Sequence, residues 1–342
     1  AFLAATHPFL LPIIPKHIYS EGEIRRNPAN LKPIGSGPFK FVEWKKGQHL
    51  ILNRYENYFR KGRPILDRII LEFVPDSAAR AVAIESGATD LVPFSYLSPE
   101  DARRLQQLPQ MGLSTKGSEA IGAMGWLEIN IRKPPLNNPK VRKAIAHLID
   151  KDFIIKDILL GFGKPATGPF NSASPFYQPN VPKYEYNLNK ANQLLDEAGF
   201  KRGSDGTRFS LTLDWVPGNP ANKSICEYLR EQFKKAGINI TLRASPDFPS
   251  WSGKIAAWDF DITYDGVGAY PDPVIGIERM YISSNIKKLV WTNTMGYSHP
   301  EVDRLFAEAQ REQNFEKRKK LYQQAQEILV EDLPIIWLVE IE

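Results

Sequence analysis

Apolar and polar positions alternate through Phe39–Trp44 and again through His49–Asn53, with Lys45-Lys46-Gly47-Gln48 between them. That pattern predicts two strands joined as a hairpin, entered through the tight Gly35-Ser36-Gly37-Pro38 segment. Asp67–Val74 repeats the alternation at Ile69, Leu71 and Phe73 and predicts a third strand. Asp76 or Ser77 then stands where a helix cap belongs, ahead of an Ala78–Gly87 helix that ends on glycine. Thr89–Phe94 reads as a short strand, and Pro99–Leu108 as a helix capped by Ser98. Strands alternating with helices predict an α/β fold.

The same alternation continues. Trp126–Ile131 reads as a strand. Asn138-Pro139 opens a helix with Val141, Ala144, Ile145 and Leu148 on one face, and Asp150 or Lys151 opens another to Leu160. The proline-rich stretch 161–186 predicts a long irregular loop, the kind that is functional or packs over something. Further helices are predicted over Asn189–Ala198, Asn222–Ala236, Pro300–Gln313 and Phe315–Glu331. Strands are predicted over Phe209–Val216, Ile238–Arg243, Asp259–Tyr264 and Pro334–Val339. The last strand but one is followed by a Gly/Pro loop to Pro273. Two α/β units emerge, with a boundary near 110–120.

Composition adds limits. A chain of 342 residues is long for one domain, and 42% hydrophobic with 24% charged residues suits a globular protein with a core. No apolar run is long enough to span a bilayer. The apolar start, Ala1–Ile18, is broken by Pro8, Pro12 and Pro15 and lacks a basic region and cleavage site, as expected of a mature or truncated chain. The net charge of +5 is dispersed, and Lys317-Arg318-Lys319-Lys320 reads as a solvated helix face. Nothing in it matches a nucleic-acid-binding motif. A single cysteine, Cys226, allows no internal disulfide and reads as a small core residue.

Catalytic signatures are missing. The five histidines do not pair at metal spacing, no phosphate loop or nucleophile elbow occurs, and no metal or cofactor is expected. His147 reads as a structural histidine within a helix. Asp259 and Asp261 read as solvating a strand start; a hydrolase built on them, or on Asp265 and Asp272, is the rival reading. Aromatic residues are more informative. Trp126, Trp215, Trp251, Trp258, Trp291, Tyr264, Tyr270 and Tyr281 fall at strand ends or in loops of the second unit. They serve either core packing or an aromatic ligand pocket.

Taken together, Pro33-Ile-Gly-Ser-Gly-Pro-Phe-Lys-Phe-Val-Glu-Trp-Lys-Lys-Gly-Gln48, Asn53-Arg-Tyr-Glu-Asn-Tyr58, Gly87-Ala-Thr-Asp90, Asn130-Ile-Arg-Lys-Pro-Pro-Leu-Asn-Asn-Pro-Lys-Val-Arg-Lys-Ala144, Ile149-Asp-Lys-Asp152, Leu194-Leu-Asp-Glu-Ala-Gly199 and Tyr270-Pro-Asp-Pro273 form an ordered series. It resembles the family 5 (cluster C) extracellular solute-binding proteins of ABC importers, the oligopeptide-, dipeptide- and nickel-binding type. The resemblance implies a periplasmic-binding-protein-like α/β fold. Here that fold is expected to comprise part of lobe I over residues 1–112 and lobe III over 113–342, ending before the last strands of lobe I. It implies a binding protein without turnover that captures a small solute, a peptide or peptide-like ligand, and hands it to the permease subunits. A nickel chelate, an opine-like conjugate and an oligosaccharide are alternatives on the same fold. A periplasmic or otherwise extracytoplasmic monomer, associated with the membrane through its transporter or a lipid anchor, is implied. In peptide-binding members an aspartate between the Gly-Trp-like entry and the Asp-Pro pairs with the ligand's amine. Here Gly266-Val-Gly-Ala-Tyr-Pro-Asp-Pro273 is one residue shorter and has no acidic residue in that register.

The expected site is therefore the loop from Tyr264 to Pro273. Gly266, Val267 and Gly268 are read as letting the backbone approach the ligand, Tyr270 as stacking on it, and Asp265 as taking over the charge contact. Trp251 and Trp291 are expected to wall it, with Trp126, Glu128 and Asn130 reaching in from a neighbouring strand. Asp272, before a proline, is expected to fix a turn.

Overall fold

The computed structural model describes residues 13–341 apart from 94–95, 118–120, 269 and 271. The chain divides into two compact units, one from Phe2 to Arg80 and one from Ala81 to Glu342.

In the smaller unit, a helical turn α1 (Lys16–Tyr19) precedes a three-stranded antiparallel sheet of β1 (Phe39–Lys45), β2 (His49–Arg54) and β3 (Arg68–Glu72). The hairpin forms where the sequence places it, with Gly47 in the left-handed region at φ 73°. Register sets Phe41 opposite Leu52 and Leu52 opposite Ile69, so one face is apolar and the other carries Lys40, Asn53 and Arg68. Trp44 and Leu71 stay 42% and 44% exposed, and none of the described residues 13–80 is fully buried. Helix α2 (Ser77–Glu85) begins in this unit, and the Asp76 carboxylate accepts the Ala79 N–H there. The expected strand Thr89–Phe94 does not form over its described part: Thr89–Pro93 is irregular and Leu91 is 73% exposed, so its apolar residues find no partner strand. Phe94 lies outside the described residues. Helix α3 (Pro99–Leu105) carries the Ser98 cap, whose Oγ accepts the Asp101 N–H at 3.0 Å.

The larger unit is built on a six-stranded mixed sheet in the order β5-β9-β4-β8-β6-β7. Its strands are β4 (Ala123–Ile129), β5 (Lys164–Pro165), β6 (Phe209–Trp215), β7 (Ile238–Arg243), β8 (Ile262–Gly268) and β9 (Ile335–Glu340). β4 lies antiparallel between β8 and β9, and β6 runs parallel to β7 and β8. Its helices are α4 (Pro139–His147), α5 (Leu188–Glu197), α6 (Pro220–Lys235), α7 (Phe248–Ala256), α8 (Pro300–Arg311) and α9 (Phe315–Asp332). Asn138, Asn187, Asn219, Asp247 and Asn314 each accept an N–H from the first turn of the helix that follows. These caps satisfy donors that helix starts leave orphaned. After α5 and α6 the chain turns on Gly199 and Gly237 at φ 88° and 80°. β9, Ile-Ile-Trp-Leu-Val-Glu, is buried at every position, as a strand covered on both faces should be.

Two expectations fail here, and one helix forms where no element was predicted. The stretch after Asp150 is one α-turn, Lys151–Phe153, followed by π-helical Ile154–Ile158, not a regular helix to Leu160. The strand expected over Asp259–Tyr264 begins at Ile262 and continues to Gly268. A helix, α7, occupies residues that showed no helical period, because Pro249, Ser250 and Gly253 interrupt its apolar stripe. The long loop 161–186 packs rather than hangs free: Phe170 and Phe176 pack edge-on against Tyr322 of α9. The Ser172 N–H and hydroxyl both donate to Glu340.

Candidate functional site

Side chains alternate across a strand, and the pairing of β4 with β8 decides which face each candidate occupies. Trp126 lies opposite Asp265 and Glu128 opposite Thr263. On the other side of β8, Thr263 is in register with Asp214 of β6. One face therefore carries a polar seam: Glu128, Thr263 and Asp214 in a row, with Trp126 and Asp265 in the next. Tyr264 points to the opposite face. It packs over Gly125, where an added Cβ would stand 2.4 Å from its hydroxyl, and burial pushes its phenol well above the usual range. Tyr264 is thus separated from the other candidates by the sheet.

Helix α7 covers the seam. The Trp251 indole N–H donates to Thr263 Oγ1 at 3.0 Å, and Trp251, Ile255 and Phe260 form a small cluster of their own. Lys254 reaches within 3.7 Å of Asp214, which also accepts Arg243 at 2.8 Å. Asp265 is buried. Its Oδ1 accepts the Gly266 N–H at 2.6 Å and its Oδ2 accepts the Trp291 indole N–H at 3.1 Å. Burial pushes this carboxyl up to about 7, against those two donors and the Arg279 guanidinium. Glu128 is wholly buried, and its Oε1 accepts the Thr294 hydroxyl while its Oε2 meets no protein donor. Burial first, and Asp265 second, push Glu128 well above the carboxylate range, with Arg132 pulling the other way. Arg132 is itself fixed, with its guanidinium 4.0 Å over the Trp258 ring and Nη1 donating to the Thr294 carbonyl at 2.5 Å.

Gly266 and Gly268 lie within β8 rather than in a loop. A Cβ at Gly266 would stand 2.5 Å from the Met124 carbonyl oxygen, and one at Gly268 2.9 Å from that of Ile121. Their close approach is to backbone across the sheet. Val267 is paired with Met124, and its side chain lies outside the described residues. Asn130 brackets the chain: its amide donates to the carbonyls of Trp258 and Phe260 at 3.2 and 2.9 Å. Tyr270 is half-buried, beyond the end of β8. Asp272 behaves as a turn-fixing aspartate, accepting the Val274 N–H, and it also binds Arg318 through both oxygens. Arg318 is therefore not part of a solvated face.

The structure brings together Trp126, Glu128, Asp265, Trp251 and Trp291. β6 ends at Trp215 beside Tyr264, whereas β8 runs on to Gly268, so Asp265 projects past the carboxyl end of β6. That end of a parallel sheet is where α/β folds bind ligands. Phe248, which the sequence reading missed, opens α7 there. Its ring lies 5.4 Å from that of Trp291, it is 39% exposed, and Trp291 is half-buried. The two make an accessible aromatic shelf. Arg132 and Thr294 were missed as well, since only the fold gathers them with Trp258, one of the aromatics offered as a pocket candidate. Of the rival acidic pairs, Asp261 accepts the N–H and hydroxyl of Thr212, and Asp259 pairs with Arg243. Among the described residues no cluster of histidine, cysteine and carboxylates is placed to hold a metal, and no helix is long and apolar enough to cross a membrane.

Comparison with known proteins gives a consistent picture. The family described as bacterial extracellular solute-binding proteins, family 5 Middle, matches residues 3–288. The chain is 32% identical to the oligopeptide-binding protein AppA of Bacillus subtilis (strain 168), over 95% of this chain and 61% of that protein. It is 31% identical to heme-binding protein A of Haemophilus influenzae, over 89% of this chain and 54% of the other. The solved structure of the periplasmic binding protein DppA from Helicobacter pylori, in complex with peptide STSA, superposes with a TM-score of 0.85 at 27% identity, covering 99% of this chain and 64% of that one. The chain thus spans less than two thirds of the length of these relatives.

Proposed function

The chain belongs to the bacterial extracellular solute-binding proteins, family 5, a family of binding components and not of enzymes, and we propose that it captures a small peptide or peptide-like solute for an ABC importer. The observation that carries this reading is the Trp291–Phe248 shelf at the carboxyl end of β6, with the buried Asp265 behind it holding the Trp291 indole. Flat apolar walls with a few buried polar anchors are what a ligand pocket needs. The names of the relatives, oligopeptide- and heme-binding, and the peptide held by DppA support a solute of this size and character.

In this reading residues 1–112 supply part of lobe I and 113–342 lobe III. The ligand lies between lobes that close on it by hinge bending, delivery is to permease subunits in the membrane, and the protein acts outside the cytoplasm as a monomer. Ligand shifts the open–closed equilibrium by its preference for the closed form.

Substitution tests the face. Tyr270→Ala and Trp291→Ala are each expected to weaken binding of a tripeptide such as trialanine at least tenfold, about 1.4 kcal/mol, in calorimetric titration, with little change in melting temperature for Tyr270→Ala. Equal affinity in both variants removes this face from the site. Hydrolysis of the peptide during the titration restores the enzyme reading.

A further inference from the structure

Every buried side-chain atom without a protein hydrogen-bond partner among the described residues falls in one place. These atoms are Trp126 Nε1, Glu128 Oε2, Arg132 Nη2, Asp214 Oδ1 and Trp258 Nε1. All lie on or over the seam face of β4, β8 and β6. Buried polar groups are nearly always paired, so such a concentration marks a functional region. Backbone conformation marks the same region. Of the four non-glycine residues with positive φ among the described residues, two are Trp258 at 63° and Trp291 at 60°, and they flank the seam. Bulky residues hold that conformation only where their surroundings enforce it. The Trp291 indole is also bonded to Asp265.

We propose that Asp265 is a positioning residue: its ionisation state sets the placement of the Trp291–Phe248 aromatic shelf, and it does not itself contact the solute. The geometry gives the reason. Both Asp265 oxygens accept from N–H donors; ionised, they make charge-assisted bonds, and a proton on the carboxyl turns these into weaker neutral ones. The Gly266 bond is held in the β8 backbone, leaving the Trp291 bond as the one that yields. With it loosens the hold on the Trp291 indole. The charged and titratable groups facing Asp265 are Glu128 from β4, Arg279 from the turn Glu278–Met280, and Tyr264 on its own strand. Glu128, wholly buried with one oxygen lacking a protein donor, has its carboxyl pushed well above the usual range by burial first and Asp265 second, and in this proposal it stays neutral while Asp265 ionises. Asp265 ionises first because it has two donors and Arg279 nearby. Its burial places that event at about 7.

This inference rests on the solute-binding reading only for what the shelf serves, and its test needs no ligand. Tryptophan fluorescence and near-ultraviolet circular dichroism of the whole chain are followed from pH 5 to 9. The wild type is expected to show a one-proton transition centred at about 7. Trp291→Phe and Asp265→Asn should each remove it. Glu128→Gln, which replaces a neutral acid with a neutral amide, should leave the midpoint in place. The absence of a wild-type transition, or its full survival in Trp291→Phe, overturns the proposal. A midpoint that falls by a unit or more in Glu128→Gln means Glu128 is charged, and overturns the assignment of the pair. Should Asp265→Asn fail to fold, the other two variants still decide.

Discussion

Replacing Arg318 by alanine is expected to lower the unfolding free energy by roughly 3–5 kcal/mol, the usual consequence of stranding one member of a buried ion pair. Arg318 reaches Asp272 through two parallel bonds of 3.0 and 2.8 Å, and the two side chains are only 13% and 9% exposed. Its Nε donates to the Ala309 carbonyl at 3.0 Å, tying α8 to α9. The guanidinium also packs over the Phe176 and Tyr322 rings, and the Tyr322 hydroxyl donates to Glu278 at 2.7 Å. Burial alone would raise Asp272, but Arg318 holds it below the usual carboxylate range. Lysine at 318 should rescue little, since it cannot reproduce a two-pronged bond. Urea denaturation of Arg318→Ala, Asp272→Ala and the double variant checks this. The double variant should cost clearly less than the two single losses added together, and strict additivity would refute a coupled pair.

The second large effect is on pH dependence. Asp265 is raised to about 7 in the folded chain, whereas a carboxyl in the unfolded chain titrates near 4. Between those values the folded state keeps a proton that the unfolded state has released. Stability from this group is therefore greatest below pH 4, declines as pH rises toward 7, and is level above. Three pH units correspond to about 4 kcal/mol in all, of which roughly 2–3 kcal/mol falls between pH 5 and 8 once other groups are subtracted. Glu128 acts with the same sign. The subtraction is made with Asp265→Asn: urea midpoints at pH 5, 6, 7 and 8 should fall more steeply for the wild type than for the variant. Parallel curves would show that Asp265 does not carry the proton.

Much of the fold is written locally. The hairpin, the cap at Asn138 and the β6–α6–β7 unit depend on turn residues, caps and period, all of which sit within a few positions of one another. Errors came where distant partners decide. Gly266 and Gly268 look like loop punctuation, yet they extend β8 because β4 approaches too closely for a Cβ. Thr89–Pro93 has strand composition and no strand beside it. Site residues divide the same way. Trp126, Glu128 and Asp265 share one sheet face, and strand alternation, once β8 is correctly placed, puts Tyr264 on the other. Phe248, Arg132 and Thr294 gave no signal, because their position beside these residues arises from the sheet order and not from spacing in the chain.

Native mass spectrometry of the protein purified from its own cells tests solute binding most directly. The account predicts that the protein carries a small organic solute, retained without a covalent bond, exchangeable with added peptide and recovered chemically unchanged after long incubation. A chain that emerges empty and takes up no peptide, or one that converts the solute into products, would contradict it.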